Sequence, residues 1–261
     1  MLEKIALGIE YQGSKFCGWQ RQPHVRTVQG DVEQAAARVA NAPITLTCAG
    51  RTDAGVHAIG QVANFSSFAK RDEHAWLMGI NTNLAEDVRI KWVKRVVLNF
   101  DARYSALYRK YRYVILNSNT KSAVFNQHML WVPQKLDEEL MHQAAQFFIG
   151  EQDFASFQGA DCQSSTSIRN VLEFSVTRLG KLIYFDVQGN AFLHNMVRNM
   201  VGSLIEIGKA RKEPSWIKEV LGAKARSFAA ATAPAHGLFL LDVGYPANFA
   251  IPKNTDNIWL A

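Results

Sequence analysis

Residues 49–58 read Ala-Gly-Arg-Thr-Asp-Ala-Gly-Val-His-Ala and separate two short apolar segments, at about 44–48 and 61–66, that are predicted to be strands. Two glycines frame the side chains of Arg51 and Asp53, and glycine permits positive φ angles and the close approach of a ligand. The decapeptide is therefore a candidate site with Asp53 as its reacting group. An ordinary Asx-turn, in which the carboxylate only accepts local backbone N–H bonds, explains the same residues.

The segments on either side of this decapeptide predict the order βαββαβ in the first part of the chain. A strand at about 3–11 precedes a helix at about 28–40, for which Thr27 is a plausible N-cap. The two short strands follow, and then a helix near 71–80 and a strand near 88–97.

The same order recurs from about residue 107. The predicted elements are a strand to Leu116, a helix at about 137–149 closed by Gly150, strands near 171–178 and 181–188, a long helix from about 192, an extra helix over Pro214 to Leu221, and a strand near 238–244. Two βαββαβ units predict an α+β fold of two ferredoxin-like halves, with a mostly antiparallel sheet, helices on one face and a central cleft.

The predicted halves cover residues 1–105 and 106–245, and a tail covers 246–261. The tail ends in the apolar Ile258-Trp259-Leu260, which we expect to dock on the body or on another subunit.

The composition indicates a basic globular protein. Of 261 residues, 48% are hydrophobic, and 29 Lys and Arg exceed 23 Asp and Glu to give a net charge of +6, which suits a polyanionic partner such as RNA. The three cysteines form no close pair, so we expect no disulfide framework, no zinc site of the Cys-x-x-Cys kind and a cytoplasmic location. The first strand is too short in apolar content for a signal peptide or a membrane-spanning helix.

A second informative stretch, residues 108–113, interleaves basic and aromatic side chains. On a strand, Arg109, Tyr111 and Tyr113 share one face, and Lys110 and Arg112 share the other. Aromatic rings stack on unpaired bases while Arg and Lys bind phosphates, so the stretch fits an RNA site. β-propensity and ordinary surface charge explain it equally well.

A third stretch, residues 190–202, predicts a helix with an apolar face on which His194 and Arg198 are spaced i and i+4. A guanidinium among Met and Val side chains is costly unless a carboxylate pairs with it, and Asp53 is the favoured partner. The alternative is an exposed helical arginine with a buried stem. For His57 and His194 we favour structural roles.

Seven segments of the chain together resemble the tRNA pseudouridine synthase A family. They are Gly18-Trp19-Gln20-Arg21-Gln22, Ala49 to His57, Phe100-Asp101-Ala102-Arg103, Arg109 to Tyr113, Phe154-Ala155-Ser156-Phe157, Phe192 to Gly202, and Pro234-Ala235-His236-Gly237-Leu238. Asn195 departs from the pattern, because many bacterial members carry a second histidine there.

The resemblance implies a pseudouridine synthase fold with a basic cleft, a homodimer, and isomerisation of uridine to pseudouridine at positions 38, 39 and 40 of the tRNA anticodon stem-loop. It further implies that Asp53 is the catalytic carboxylate, that Tyr111 stacks on the target base, that Arg198 is the partner of the carboxylate and that Arg51 helps to extrude the base.

The chemistry agrees with this assignment. Moving the glycosidic bond from nitrogen to carbon-5 is redox-neutral, so we expect no cofactor and no metal, and the carboxylate is able to act as a nucleophile or as a base. A target within a stacked stem-loop must first be flipped out. The alternative hypothesis is a non-catalytic RNA-binding protein or chaperone, which would not need Asp53.

Overall fold

Two units make up the chain in the computed structural model, which describes residues 1–160 and 162–253. Unit 1 contains Met1–Arg109 and the chain from Leu240 onward, and unit 2 contains Lys110–Phe239. The chain therefore returns to unit 1 with residues 240–245, which the sequence analysis places in the second half. The apolar Ile258 to Leu260 lie outside the described residues.

Unit 1 follows the order predicted from the sequence. Its elements are β1 (Glu3–Tyr11), α1 (Val28–Ala40), β2 (Thr47–Cys48), β3 (His57–Ser67), α2 (Glu73–Thr82) and β4 (Val88–Val96). Strand β1 lies between β3 and β4 and pairs antiparallel with both, and β2 pairs antiparallel with β3. The predicted order βαββαβ is confirmed in this unit.

The helices of unit 1 begin where the sequence places capping residues. The Thr27 side chain accepts a hydrogen bond from the Gly30 N–H at the start of α1, as predicted, and Asp72 caps α2 in the same way through the Ala75 N–H. The fully buried Trp76 of α2 packs edge-on against Phe65 of β3, with ring centroids 5.1 Å apart. This contact fixes α2 against the strand that leaves the Asp53 segment.

Unit 2 contains most of the second set of elements. This set is β5 (Tyr108–Asn117), β6 (Leu130–Val132), α3 (Glu138–Ala145), β7 (Gly150–Asp153), β8 (Ile168–Leu179), β9 (Leu182–Gly189), α4 (Met196–Gly208), α5 (Trp216–Ala223) and β10 (Leu238–Gly244). Residues 108–109 of β5 and 240–244 of β10 belong to unit 1. Strand β8 pairs antiparallel with β7 and β9, and β6 runs parallel to the end of β5. The α+β class with mostly antiparallel pairing is confirmed.

The helix predicted from about residue 192 begins four residues later, at Met196. Asn195 has a left-handed backbone, with φ 59°, so it cannot belong to the helix. His194 lies outside α4, and the prediction that His194 and Arg198 project from the same side of one helix is wrong. The short strands β6 and β7 were not predicted, and Gly150, with φ 101°, starts β7.

An aromatic cluster forms the core of unit 2 beneath α4. Phe148 stacks on Phe174 at 5.7 Å and meets Phe157 edge-on at 5.0 Å. The buried Asn199 of α4 donates its side-chain N–H to the Phe157 carbonyl at 2.8 Å. The cluster therefore sets the position of α4, which carries Arg198. Within the described residues, no helix is long and apolar enough to cross a membrane.

Candidate active site

The Asp53 loop, residues 49–56, connects β2 to β3, and neighbouring segments hold its backbone. The Thr52 carbonyl accepts a hydrogen bond from the Trp19 N–H at 3.0 Å, and the Gly55 N–H donates to the Phe16 carbonyl at 3.3 Å. The Thr52 hydroxyl is hydrogen-bonded to the buried Tyr11 hydroxyl at 2.7 Å. The half-buried Asp53 side chain thus lies between two anchored peptide units.

Two glycines let the segment before α1 lie directly against this loop. A Cβ atom at Gly13 would lie 2.0 Å from the Val56 carbonyl oxygen, and one at Gly18 would lie 2.8 Å from the Thr52 carbonyl oxygen. Gly18 also has φ 85°, which side-chain-bearing residues rarely adopt. The positions need glycine, because the two backbones are in contact there.

His57 also holds this segment to the Asp53 loop. The imidazole is buried, and its Nδ1 accepts the Gly13 N–H at 3.0 Å. An accepting Nδ1 places the proton of the neutral ring on Nε2. This contact gives His57 a structural role.

Arg109 has a role that the sequence analysis missed. Its buried guanidinium donates to the Ala49 carbonyl through Nε at 3.1 Å and Nη2 at 2.7 Å, and Nη2 also donates to the Arg103 carbonyl at 2.6 Å. Arg109 is therefore an internal anchor of the Asp53 loop, and the interpretation of its side chain as a phosphate contact is wrong. A signal was present in the sequence, because the rest of its strand face, Tyr111, Tyr113 and Ile115, suits a core.

Tyr111 lies in unit 2, on β5, and is buried. Its ring meets Phe192 edge-on, with centroids 5.2 Å apart and planes at 86°. The next residue, Arg112, forms two hydrogen bonds of 2.7 Å with the Asp186 carboxylate, which also raises the pKa of Arg112. Arg112, like Arg109, therefore has a protein partner.

Arg198, also in unit 2, is hydrogen-bonded to Ala233 through both its side chain and its backbone. Its Nε donates to the Ala233 carbonyl at 2.8 Å, and its own carbonyl accepts the Ala233 N–H at 3.1 Å. Its Nη1 donates to the Asn195 side-chain oxygen at 2.8 Å. Asn195 thus orients the guanidinium. The ion pair between Arg198 and Asp53 stays a prediction, since the two residues belong to different units.

Burial and nearby arginine charges both act on titratable groups beside the candidate site residues. Burial raises the pKa of Cys48 to about 12, and the positive charges of Arg51 and Arg103 oppose this increase. Burial lowers the pKa of His236, and the charge of Arg198 lowers it further. Residues 1–160 and 162–253 contain no group of three His, Cys, Asp or Glu side chains that could hold a metal ion.

Comparison with known proteins gives one family across both units. The family model described as tRNA pseudouridine synthase matches residues 8–105 and 144–246. A protein of Klebsiella pneumoniae named tRNA pseudouridine synthase A is 53% identical over 249 residues, which cover 95% of this chain and 92% of that protein. Proteins of the same name from Cronobacter sakazakii and Shewanella loihica are 54% and 52% identical, over 96% of this chain and 93% and 96% of theirs.

The matched ranges include the Asp53 loop, Tyr111 lies between them, and α4 lies in the second. These relatives are more than 50% identical to the chain over almost its whole length. The similarity therefore covers both units of the chain. The chain belongs to the tRNA pseudouridine synthase family.

Proposed function

We propose that this enzyme isomerises uridine to pseudouridine at positions 38, 39 and 40 of the tRNA anticodon stem-loop, with Asp53 as its catalytic carboxylate. The observation that carries the proposal is the anchoring of the Asp53 loop. Hydrogen bonds at Ala49, Thr52 and Gly55 fix the loop on both sides of Asp53, while Asp53 itself is only partly buried. Such a loop holds a reacting group in one direction without burying it.

The other predicted site residues have complementary roles in this proposal. Arg51, exposed on the same loop, helps to extrude the target base from the stem-loop, and Tyr111 stacks on the extruded ring. Arg198 pairs with Asp53, which keeps the carboxylate ionised and oriented. Its two protein contacts, to Ala233 and Asn195, support a fixed direction for the guanidinium.

The reaction breaks the bond between the ribose C1′ and the base N1 and forms a bond between C1′ and the base C5. The hydrogen at C5 leaves as a proton, and N1 gains one, so the isomerisation is balanced without an oxidant or a reductant. Asp53 acts either as the nucleophile or as the base in this sequence.

Asp53→Asn tests the assignment. We expect no pseudouridine in unmodified tRNA, measured as tritium release from carbon-5, while tRNA affinity stays within about tenfold because most binding energy comes from phosphate contacts. The matched control is Asp72→Asn, since the Asp72 side chain caps α2 and asparagine also caps a helix. Turnover by a folded Asp53→Asn protein would refute the role of Asp53.

The proposed positions are tested with transcripts in which the uridine at 38, 39 or 40 is replaced by cytidine. For each single replacement, we expect total tritium release to fall by the fraction that the replaced uridine contributes. Release that persists after all three are replaced would show that the enzyme acts elsewhere. An inactive wild-type protein that still binds tRNA would instead support the alternative of a non-catalytic RNA-binding protein or chaperone.

The proposal includes a cytoplasmic homodimer. A stem-loop must be held in register while one base is extracted, and a second subunit supplies further contact surface for the rest of the tRNA. We expect light scattering to give twice the monomer mass at micromolar concentration. A fully active monomer would overturn this part of the proposal.

A further inference from the structure

The Arg103 turn, residues 100–105, lies at the surface of unit 1. Buried and half-buried polar side chains form hydrogen bonds with its backbone. Lys4 donates to the Phe100 carbonyl at 2.9 Å, the Asn64 side-chain oxygen accepts the Ala102 N–H at 2.7 Å, and the Tyr245 hydroxyl donates to the Ala102 carbonyl at 2.7 Å. Buried polar groups of this kind are costly unless they are satisfied. Here they are committed to the backbone of one short turn.

The turn is also closed on itself. The Asp101 carboxylate accepts the N–H groups of Arg103 at 2.8 Å and Tyr104 at 2.9 Å, and the Ser105 N–H donates to the Asp101 carbonyl at 2.9 Å. The contacts of Arg103 and Tyr104 within the turn use their backbone N–H groups. Their side chains are exposed, and the Arg103 guanidinium lies over the Tyr104 ring, 5.3 Å from its centroid.

Arg109 places this turn beside the Asp53 loop. One nitrogen, Nη2, binds the carbonyl of Ala49 and the carbonyl of Arg103, so the two backbones are side by side. The charges of both Arg51 and Arg103 act on the Cys48 thiol. Two exposed arginine side chains are thus carried by adjacent segments that share one buried hydrogen-bond donor, and grouped positive charge of this kind attracts a phosphate.

We propose that Arg103 is a second RNA-binding residue of the active site, which binds a phosphate of the tRNA backbone next to the target uridine, alongside Arg51. A guanidinium matches a phosphate with two parallel hydrogen bonds, and a turn that is already ordered loses little entropy on binding. The proposal rests on the proposed function in one respect, since it takes a tRNA as the ligand.

The experiment compares Arg103→Gln with wild type in tRNA binding at several potassium chloride concentrations. The substitution keeps the backbone contacts of the turn and removes the guanidinium, with its charge and its contact to the Tyr104 ring. We expect the slope of log affinity against log salt to become shallower by about 0.7–0.9, the value for one lost phosphate contact, and affinity at moderate salt to fall roughly 3- to 10-fold. At saturating tRNA, the rate of tritium release stays within about threefold of wild type, because Asp53 is untouched.

Two variants serve as controls. Arg103→Lys keeps the charge and is expected to keep the wild-type salt slope. Arg38→Gln removes an exposed arginine of α1 that binds the Asn83 side chain, and it is expected to leave the slope and the rate unchanged. A wild-type slope for a folded Arg103→Gln protein, or the same loss in Arg103→Lys, would overturn the proposal. Absence of pseudouridine formation by wild type would refute the proposed function instead, while the salt slope would still decide the role of Arg103.

Discussion

At the scale of single residues, Gly18 shows how backbone contacts position the candidate catalytic carboxylate. Gly18 has a positive φ angle and no Cβ atom, so its backbone can lie close to the Thr52 carbonyl. This close approach allows the Trp19 N–H to donate a hydrogen bond to that carbonyl. The hydrogen bond lies one peptide away from Asp53. A change at Gly18 therefore acts on the reacting group without touching it.

We expect Gly18→Ala to lower the free energy of unfolding by about 1–3 kcal/mol, because alanine is strained at this φ angle and its methyl group would push against Thr52. Pseudouridine formation should fall more than tRNA binding. The matched control is Gly222→Ala in α5, where no atom lies within 4 Å and alanine should stabilise the helix by about 0.5–1 kcal/mol. Urea unfolding measures both, and effects of the same sign would contradict this account.

Arg198→Met tests the second charged site residue. Methionine has a similar length and suits the apolar surroundings on α4, so we expect a folded protein that loses most of its activity. The contacts to Ala233 and Asn195 would be lost, at a cost of about 1–2 kcal/mol in stability. A normally melting variant with wild-type tritium release would show that Arg198 has no part in catalysis.

At the scale of elements, the start of α4 decides where Arg198 lies. Asn195 ends the preceding segment in a left-handed conformation, and its side-chain oxygen receives the Arg198 guanidinium. One residue thus sets both the helix boundary and the direction of the arginine. These two tasks are separable by mutation.

Asn195→Gly and Asn195→Ala both remove the acceptor for Arg198, but only alanine is strained at this φ angle. We expect the two variants to lose activity equally, several-fold at saturating tRNA, whereas the alanine variant should be less stable than the glycine variant by about 1 kcal/mol. Thermal melts and tritium release separate the two effects. Equal stability, or full activity of Asn195→Gly, would contradict the assigned roles.

At the scale of the whole molecule, two half-buried histidines are expected to make stability depend on pH in the range just below neutral. Burial lowers the pKa of His128 and of His236. The charge of His236 lowers the pKa of His128 further, and the charge of Arg198 lowers the pKa of His236 further. The folded chain therefore binds fewer protons than the unfolded chain as the pH falls through about 6.5, the usual histidine value. Stability is complete above that pH and decreases below it.

We expect the free energy of unfolding in urea to be smaller at pH 5.5 than at pH 7.5. The double variant His128→Gln/His236→Gln should show a smaller difference between these pH values. Carboxylates whose pKa is lowered by ion pairs, such as Asp87 beside Arg26, lose their contribution only well below pH 5, so they do not mask the effect. An unchanged difference in the double variant would assign the pH dependence to other groups.

The sequence by itself determined the local features of this protein. The spacing of apolar residues and the capping residue Thr27 specify helices of unit 1, because these signals act within a few residues of the chain. The pattern of glycines around Asp53 marked a loop of unusual backbone geometry. Seven motifs in order were sufficient to indicate the family to which the chain belongs.

Only the tertiary structure decided which charged side chains are exposed. Arg103 and Arg109 are only six residues apart, yet their side chains differ in exposure. Arg109 is buried and donates hydrogen bonds to two carbonyl groups, whereas the Arg103 side chain is exposed to solvent. Likewise, α4 begins at Met196 because Asn195 adopts a left-handed conformation and receives Arg198, and the chain returns to unit 1 after residue 239. The exposure of the arginines and the return of the chain to unit 1 depend on contacts between residues that are distant in sequence. The start of α4 depends on a backbone angle that several residue types can adopt. A local sequence pattern specifies neither the contacts nor the angle.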